Sequence, residues 1–421
     1  MSFTKVKGTY DVLPAESPKW QALENYIRNL YGLYQYKEIR TPMMEYSQVI
    51  HRESEDSDMV TKETYNFKDK SDRDLTLRPE GTAGVIRSYV ENKIYATSNL
   101  SKFYYIGPNF RYERPQKGRF RQFMQFGIEA LGSTDASVDA EVITLAYETI
   151  SKLGLKNAVV KINSLGDQAS KSNYREALKA YLAPLKHKLS PDSQLRLEKN
   201  PLRILDSKDP VDQELLLNAP MPLEHLTEES MKHYQMLVEL LSSLHIPYEL
   251  DKKLVRGLDY YSHTVFEIHA TIDGFGAQNA LGGGGRYHEL VKEMGGPEIP
   301  GIGFAFGMER LLNALEAEGI TLSQEQRLDA YLINFGNETK KEAFKSLYEL
   351  RNSCIHAEMD FSNKNFKTQL KDAIKLNAKY VIIFGDDELK LGQVTVKNTE
   401  TQEQSTIAIK ELVAYMKGFL S

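Results

Sequence analysis

The chain is poor in the groups that build covalent and redox devices. Cys354 is its single cysteine in 421 residues, so no internal disulfide can form and no cysteine pair can hold zinc, a pattern that suits a reducing compartment. No apolar run approaches the ~20 residues of a membrane span, and the opening MSFTKVKGTYD lacks the apolar core of a secretory signal. Cytoplasm is therefore the expected location, with no membrane partner. Also missing are an HExxH pair, a serine on a nucleophile elbow, the catalytic and DFG segments of a kinase, and the Lys-Ser/Thr of a Walker loop. Zinc hydrolysis and serine nucleophiles lose their support. No internal repeat or low-complexity tract is present.

What remains is the composition of a soluble globular protein, 41% hydrophobic and 26% charged, long enough for two or three domains. The net charge of -5 argues against a chain coated in nucleic acid. Yet Arg111, Arg114, Lys117, Arg119 and Arg121 crowd one short stretch, opposed only by Glu113 and interleaved with Tyr112 and Phe120. A solvated loop is the ordinary reading of such a run, and an RNA contact the functional one.

Apolar spacing predicts a helix over 18–36 and then a short strand over 37–46, broken at Pro42 as on a sheet edge. DLTL before Pro79 reads as a strand, and 82–92 as a helix. Segments 103–106 and 120–130 read as strands joined by the basic tip, and 139–154 as a helix closed by glycine. From about 166 to 222 the texture turns to polar helices, an apparent insertion, and β character returns at 264–270. GIGFAFGMERL predicts a strand running into a helix that stops near Gly319. After a polar linker at 316–327, strands at 329–335, 380–384 and 393–397 alternate with helices at 340–351, 366–377 and 409–419, as in an α/β domain.

Four stretches fit no clean period: TLRPEGT, FRYERPQKGRFRQFMQFGIEALG, LVRGLDYY, and GGGGRY with GIGFAFGMERL. The glycine run lacks the residues of a phosphate loop, so a strand closely approached by a neighbour is the better reading of it. Arg78, Arg111, Arg256 and Arg310 suit a polyphosphate, because a guanidinium presents a planar fork and stays charged. The carboxylates Glu80 and Glu129 suit an ammonium. Together they fit phosphoryl or nucleotidyl transfer without a covalent intermediate, although each arginine alone is more often a surface ion-pair partner.

Taken together, these motifs resemble the histidyl-tRNA synthetase family of class II aminoacyl-tRNA synthetases over essentially the whole chain. EIRTPMMEY resembles motif 1, FRYERPQKGRFRQFMQF motif 2 and GIGFAFGMERL motif 3, while RPEGT, LVRGLDYY and GGGRY resemble signatures of the histidine enzyme. The resemblance implies an α+β class II catalytic domain, an antiparallel sheet flanked by helices, at 1–325. A helical insertion at 167–224 would interrupt it, and an α/β anticodon-binding domain would follow at 326–421. It also implies Mg2+ with ATP, no zinc, L-histidine and tRNA(His) as partners, and a homodimer joined through motif 1.

Carried over by residue, the resemblance makes Arg256 and Arg111 catalytic and gives ATP to Arg111, Arg310 and Arg256. Histidine would meet Glu80 and Thr82 at its ammonium, Gln125 at its carboxylate, and Glu129 and Tyr261 at its imidazole, with Tyr260 and Tyr287 completing the pocket. Arg114, Gln116, Lys117 and Arg119 would meet tRNA. Gly282, His288 and Met124 depart from the usual pattern, at positions with no assigned role. The alternative is a noncatalytic histidine-binding regulatory subunit of ATP phosphoribosyltransferase, which resembles the catalytic domain but generally lacks the C-terminal domain and degrades RGLDYY and the motif 2 arginines. Here both are intact.

Overall fold

Leu23, Ile27, Leu30 and Tyr31 recur on one face of the helix Ser17–Leu33 and are all buried, the amphipathic pattern expected of a helix laid on a sheet. The computed structural model describes residues 3–52, 57–113, 119–255, 260–272, 279–322 and 327–420. The chain divides into two compact units, Met1–Ser323 and Gln324–Ser421.

In the first unit the strands are β1 (Lys37–Glu38), β2 (Met44–Tyr46), β3 (Tyr65–Lys68), β4 (Asp74–Leu77), β5 (Ser101–Phe110) and β6 (Gln122–Leu131). They continue as β7 (Ala158–Ser164), β8 (Tyr248–Leu250), β9 (Tyr261–Ala270), β10 (Ala280–Tyr287) and β11 (Gly301–Gly307). Eight of them form one sheet in the order β1-β5-β6-β11-β10-β9-β7-β8. It is antiparallel from β5 to β7, with parallel pairs only at its edges, β1 to β5 and β7 to β8.

The two-residue period of a strand decides what each face carries. On β6, Phe126, Ile128 and Ala130 point into the main core. On β11, Ile302, Phe304 and Phe306 do the same, packing with the helices Ser17–Leu33, Ala136–Ser151, Glu228–Ser243 and Met308–Ala317. The alternate residues, Gln125, Gly127 and Glu129 on β6 and Gly303, Ala305 and Gly307 on β11, are thereby turned to the opposite face. The row that carries Gln125 and Glu129 follows from the register.

The stretch 37–46 is not the single strand expected. It splits into β1, in the large sheet, and β2, in a separate three-stranded sheet of order β2-β4-β3. Pro42 has no N–H to continue a ladder, and Arg78 pins the crossing. Its Nη1 donates to the Thr41 carbonyl at 3.0 Å and to Thr41 Oγ1 at 2.9 Å, and its Nε donates to the Pro108 carbonyl at 2.9 Å. Arg78, grouped above with arginines suited to phosphate, is thus a structural clamp.

Between β7 and the helix Glu228–Ser243 the chain is helical, with Tyr174, Leu178, Leu182, Leu197, Ile204 and Leu216 in a small cluster of their own. The second unit has β12 (Ala330–Asn334), β13 (Ala357–Met359), β14 (Tyr380–Phe384), β15 (Gln393–Asn398) and β16 (Gln404–Ala408), in the order β13-β12-β14-β15-β16. The helices Asn337–Asn352 and Leu412–Leu420 cover one face and Phe366–Lys375 the other. The short β13, and β16 with its exposed, polar start, carried no clear sequence signal.

A buried ion pair ties the helix Ala136–Ser151 to β10. Arg286 Nε lies 3.1 Å from both Asp139 oxygens, its Nη2 bonds Asp139 Oδ2, and its Nη1 donates to the Ser133 carbonyl at 2.6 Å. Burial opposes ionisation of Asp139, yet the Arg286 charge and bonding from His233 and Arg286 outweigh it and hold the carboxyl down at about 2. Asp139→Ala would strand a buried guanidinium, so urea unfolding should show a loss of about 3–5 kcal/mol. A loss below about 1 kcal/mol, the scale of an exposed pair, would show that this pair does not hold the helix.

Candidate active site

Glu129 is the centre of the candidate site. It is 1% exposed, with Thr82 Oγ1 donating to its Oε1 and Tyr287 Oη to its Oε2, both at 2.6 Å. Burial pushes its pKa up to about 8, against the pull of those two hydrogen bonds and with a small push from the Glu80 charge. Space for the carboxylate is made by absent side chains. A Cβ on Gly303 would lie 2.1 Å from Glu129 Oε2, and one on Gly81 would lie 2.2 Å from the Tyr105 ring.

Around it stand the other groups of the expected histidine pocket. Glu80 accepts from the backbone N–H groups of Thr82 at 2.9 Å and Ala83 at 2.8 Å, capping the first turn of the helix Thr82–Glu91. This holds Thr82 where its hydroxyl meets Glu129. Tyr260 packs on Tyr261 with ring centroids 4.6 Å apart and on Tyr287 at 5.6 Å. Burial raises the pKa of Tyr260 and Tyr287 well above the usual phenol value, so both are neutral hydrogen-bonding groups.

Farther along the same face, Gln125, Arg111, Arg119 and Arg310 line a cleft of about 370 Å³ with Phe123 and Glu267. Arg111 Nε donates to the Pro79 carbonyl at 2.9 Å, its guanidinium carbon lies 5.3 Å from the centre of the Phe123 ring, and Gln125 Oε1 accepts from Asn109 Nδ2 at 2.7 Å. Burial lowers the pKa of both Arg111 and Arg310, but an arginine keeps its proton in proteins. Three guanidiniums suited to phosphoryl oxygens therefore line the cleft, together with the carboxyl groups of Glu113, Glu267 and Glu309. Arg119, expected at an RNA, lies in this cleft and bonds Glu113 at 3.2 Å. Arg256, Arg114, Gln116 and Lys117 lie outside the described residues.

Several residues beside the candidate site escaped sequence reasoning. Tyr105 sits against Gly81 and Gly127, but in FYYIGPNF it reads as one more core aromatic. Tyr10 Oη donates to Glu309 Oε1 at 2.5 Å, and the same oxygen accepts from the Met124 N–H at 2.7 Å. This joins the N-terminal segment to the cleft across a sequence gap that no local pattern reveals.

A family model described as Histidyl-tRNA synthetase matches residues 8–311, and one described as Anticodon binding domain matches residues 329–418. A histidine–tRNA ligase of Acholeplasma laidlawii (strain PG-8A) is 64% identical over 420 residues, covering 100% of both chains. One from Bacillus cytotoxicus is 50% identical over 418 residues, 99% of each. Among solved structures, apo histidyl-tRNA synthetase of S. aureus superposes with a TM-score of 0.86 at 42% identity, covering 99% of this chain and 100% of that one.

The Glu129 environment has a measurable consequence in the unliganded protein. Its folded pKa, about 8, stands above the ordinary value of 4.5. The contribution of this acid to stability is therefore full below the unfolded pKa and is lost as the pH rises through the folded one. Glu129→Gln cannot ionise. Thermal melts should show the variant gaining on wild type between pH 5 and pH 8.5, and a constant difference across that window would contradict the assignment.

Proposed function

The chain belongs to the histidyl-tRNA synthetase family, and on that premise we propose how the face around Glu129 performs the family's reaction. The enzyme is an ATP-dependent histidine–tRNA ligase. It joins L-histidine to ATP as histidyl-adenylate and then passes the histidyl group to the 3′ end of tRNA(His).

In this reading the imidazole lies against Glu129 and Tyr261, with Tyr260 and Tyr287 as walls. The ammonium faces Glu80 and Thr82, and the carboxylate points along β6 toward Gln125. A pocket that satisfies both ring nitrogens rejects analogues lacking them, because its own buried groups would be left unpaired. ATP occupies the arginine-lined cleft, with Arg111 on the α-phosphate and Arg310 against the adenine and γ-phosphate. A carboxylate oxygen of histidine attacks the α-phosphorus, a phosphorus–oxygen bond breaks, and pyrophosphate leaves. Arg111 and Arg256 supply positive charge where the transition state gathers negative charge. A terminal ribose hydroxyl of the tRNA then attacks the histidyl carbonyl and AMP departs. Arg114, Gln116 and Lys117, with Arg119, meet the acceptor end. Magnesium travelling on the ATP phosphates supplies charge neutralisation when bound, and Glu113 and Glu267, which line the cleft, suit an ion that keeps water and phosphate oxygens as ligands.

The observation that carries this reading is a single strand face on which Gln125 and Glu129 join a polar pocket to an arginine-lined cleft. The noncatalytic regulatory reading is not favoured, since the 64% identical relative matched over the full chain bears the ligase name. A homodimer through the three-stranded sheet is supported by the exposed apolar groups on it, Met44, Tyr46 and Phe67, and Met43 just before it. No helix among the described residues is long and apolar enough to cross a membrane, and the proposed location is the cytoplasm.

ATP–pyrophosphate exchange with each amino acid in turn should respond to histidine alone. Histidine binding without exchange would support the regulator. Arg256→Ala should cut adenylate formation by roughly 10²–10³, the scale of one lost electrostatic donor, with less effect on transfer from preformed adenylate. Equal losses in both steps, together with a lowered melting temperature, would make Arg256 structural.

A further inference from the structure

The large apolar residues of the N-terminal segment, Phe3, Val6, Val12 and Leu13, are all exposed, so the segment is not held down by burying them. Its anchors are hydrogen bonds. Gly8 is at φ 85°, where a side chain is rarely accepted, and a Cβ there would stand 2.8 Å from Arg121 Cγ. The bare backbone comes close enough for the Gly8 carbonyl to accept from the Arg121 N–H at 2.8 Å. The Arg121 carbonyl in turn accepts from the Arg111 N–H at 2.9 Å. Arg121 thus joins the N-terminal segment to the arginine assigned to the α-phosphate. Its own guanidinium carbon lies 4.0 Å from the centre of the Tyr112 ring, and its Nε donates to the Glu113 carbonyl at 3.3 Å.

Tyr10 makes the second anchor. Its ring meets Phe120 with centroids 4.6 Å apart and Trp20 at 6.2 Å, and its hydroxyl reaches Glu309, which is 6% exposed. The ladder between β6 and β11 ends where Gln125 lies opposite Gly307. One residue beyond, the Met124 N–H donates to Glu309 Oε1 at 2.7 Å, and Tyr10 Oη donates to the same oxygen at 2.5 Å. A single carboxyl oxygen thus carries on the contact after the ladder stops. Burial pushes the pKa of Glu309 up, and its hydrogen bonds, that from Tyr10 first among them, pull against it. Glu309 stands in the first turn of the helix Met308–Ala317, directly before Arg310, which lines the cleft with Arg111. Whatever holds Glu309 therefore also holds the turn that carries Arg310.

We propose that Tyr10 is a positioning residue for the nucleotide: its hydroxyl, acting through Glu309, keeps Arg310 and Arg111 set toward the same chain of phosphates. This rests on the assignment of ATP to that cleft, and adds to it a residue from outside the motifs that carry the family resemblance. Donors fixed before the substrate arrives need no reorganisation when charge develops, and small displacements of such groups are costly to rate. A tyrosine kept for packing alone could be phenylalanine without loss, because Phe120 and Trp20 meet its ring and not its hydroxyl.

The test uses the full-length protein in histidine-dependent ATP–pyrophosphate exchange, with ATP and histidine varied in turn, and calorimetric binding of histidine without ATP. Tyr10→Phe keeps the ring and removes the donor. It should lower kcat/KM for ATP about 10-fold, the scale of one hydrogen bond to a charged group, and leave the Kd of histidine unchanged. Glu309→Ala should lose at least as much, and the double variant no more than Glu309→Ala alone, because the hydroxyl acts through that carboxyl. Unchanged ATP kinetics in Tyr10→Phe, or losses that add in the double variant, would overturn the assignment. So would a loss shared equally by ATP and histidine together with a lowered melting temperature, which would make Tyr10 a packing residue. Tyr10→Phe decides by its contrast between ATP and histidine even if Glu309→Ala fails to fold. Exchange absent from the wild type would defeat the ligase reading itself, whereas the role of Tyr10 fails on the ATP kinetics of an active wild type and variant.

Discussion

A carboxylate kept out of water governs the first unit. Glu129 can remain at the centre of a sheet only because two hydroxyls donate to it and because glycine at 303 leaves room for its oxygen. Charge in such a place is costly, and the cost appears as a pKa pushed up to about 8. A group held this way is well prepared for a polar ligand, since little must be rearranged before a new hydrogen bond forms. The capping of the helix Thr82–Glu91 by Glu80 serves the same end by fixing Thr82.

The sheet register extends this local arrangement into the face on which the proposed reaction takes place. Alternation along β6 turns Phe126, Ile128 and Ala130 to the core, and Gln125 and Glu129 to the other side. A shift of one residue would exchange the two sets. Arg286, bonded to Asp139, ties β10 to the helix beneath the sheet, so a charge inside the fold also fixes the strand that carries Tyr287. Chemistry and stability share these elements, and changes at either are therefore felt at both.

Much of this was legible in the sequence, for identifiable reasons. Long elements with strong periodicity, such as the helix Ser17–Leu33, were readable because one local pattern specifies each of them. Glu80, Glu129, Arg111 and Arg310 stood out as charged groups in aperiodic motifs, whereas Gln125 and Tyr287 were named only through the family resemblance. Other features were hidden. Pro42 marked an interruption in 37–46, but only the anchoring of Thr41 by Arg78, distant in sequence, decides that the halves enter different sheets. Tyr105 and Tyr10 gain their places from contacts across the fold, and β13 is too short to carry a period. Gln369, which donates to the Asn334 and Lys364 carbonyls, looks like any polar helix residue until it is seen to be buried.

The central claim is that the Glu129 pocket and the arginine cleft hold two parts of one reacting pair. A crystal structure with histidine and a non-reactive ATP analogue tests it most directly. The account predicts an imidazole nitrogen within hydrogen-bond distance of Glu129, about 3 Å, the histidine carboxylate directed toward Gln125, and the α-phosphate against Arg111. A histidine bound elsewhere, with Glu129 still bridged only by Thr82 and Tyr287, would contradict it.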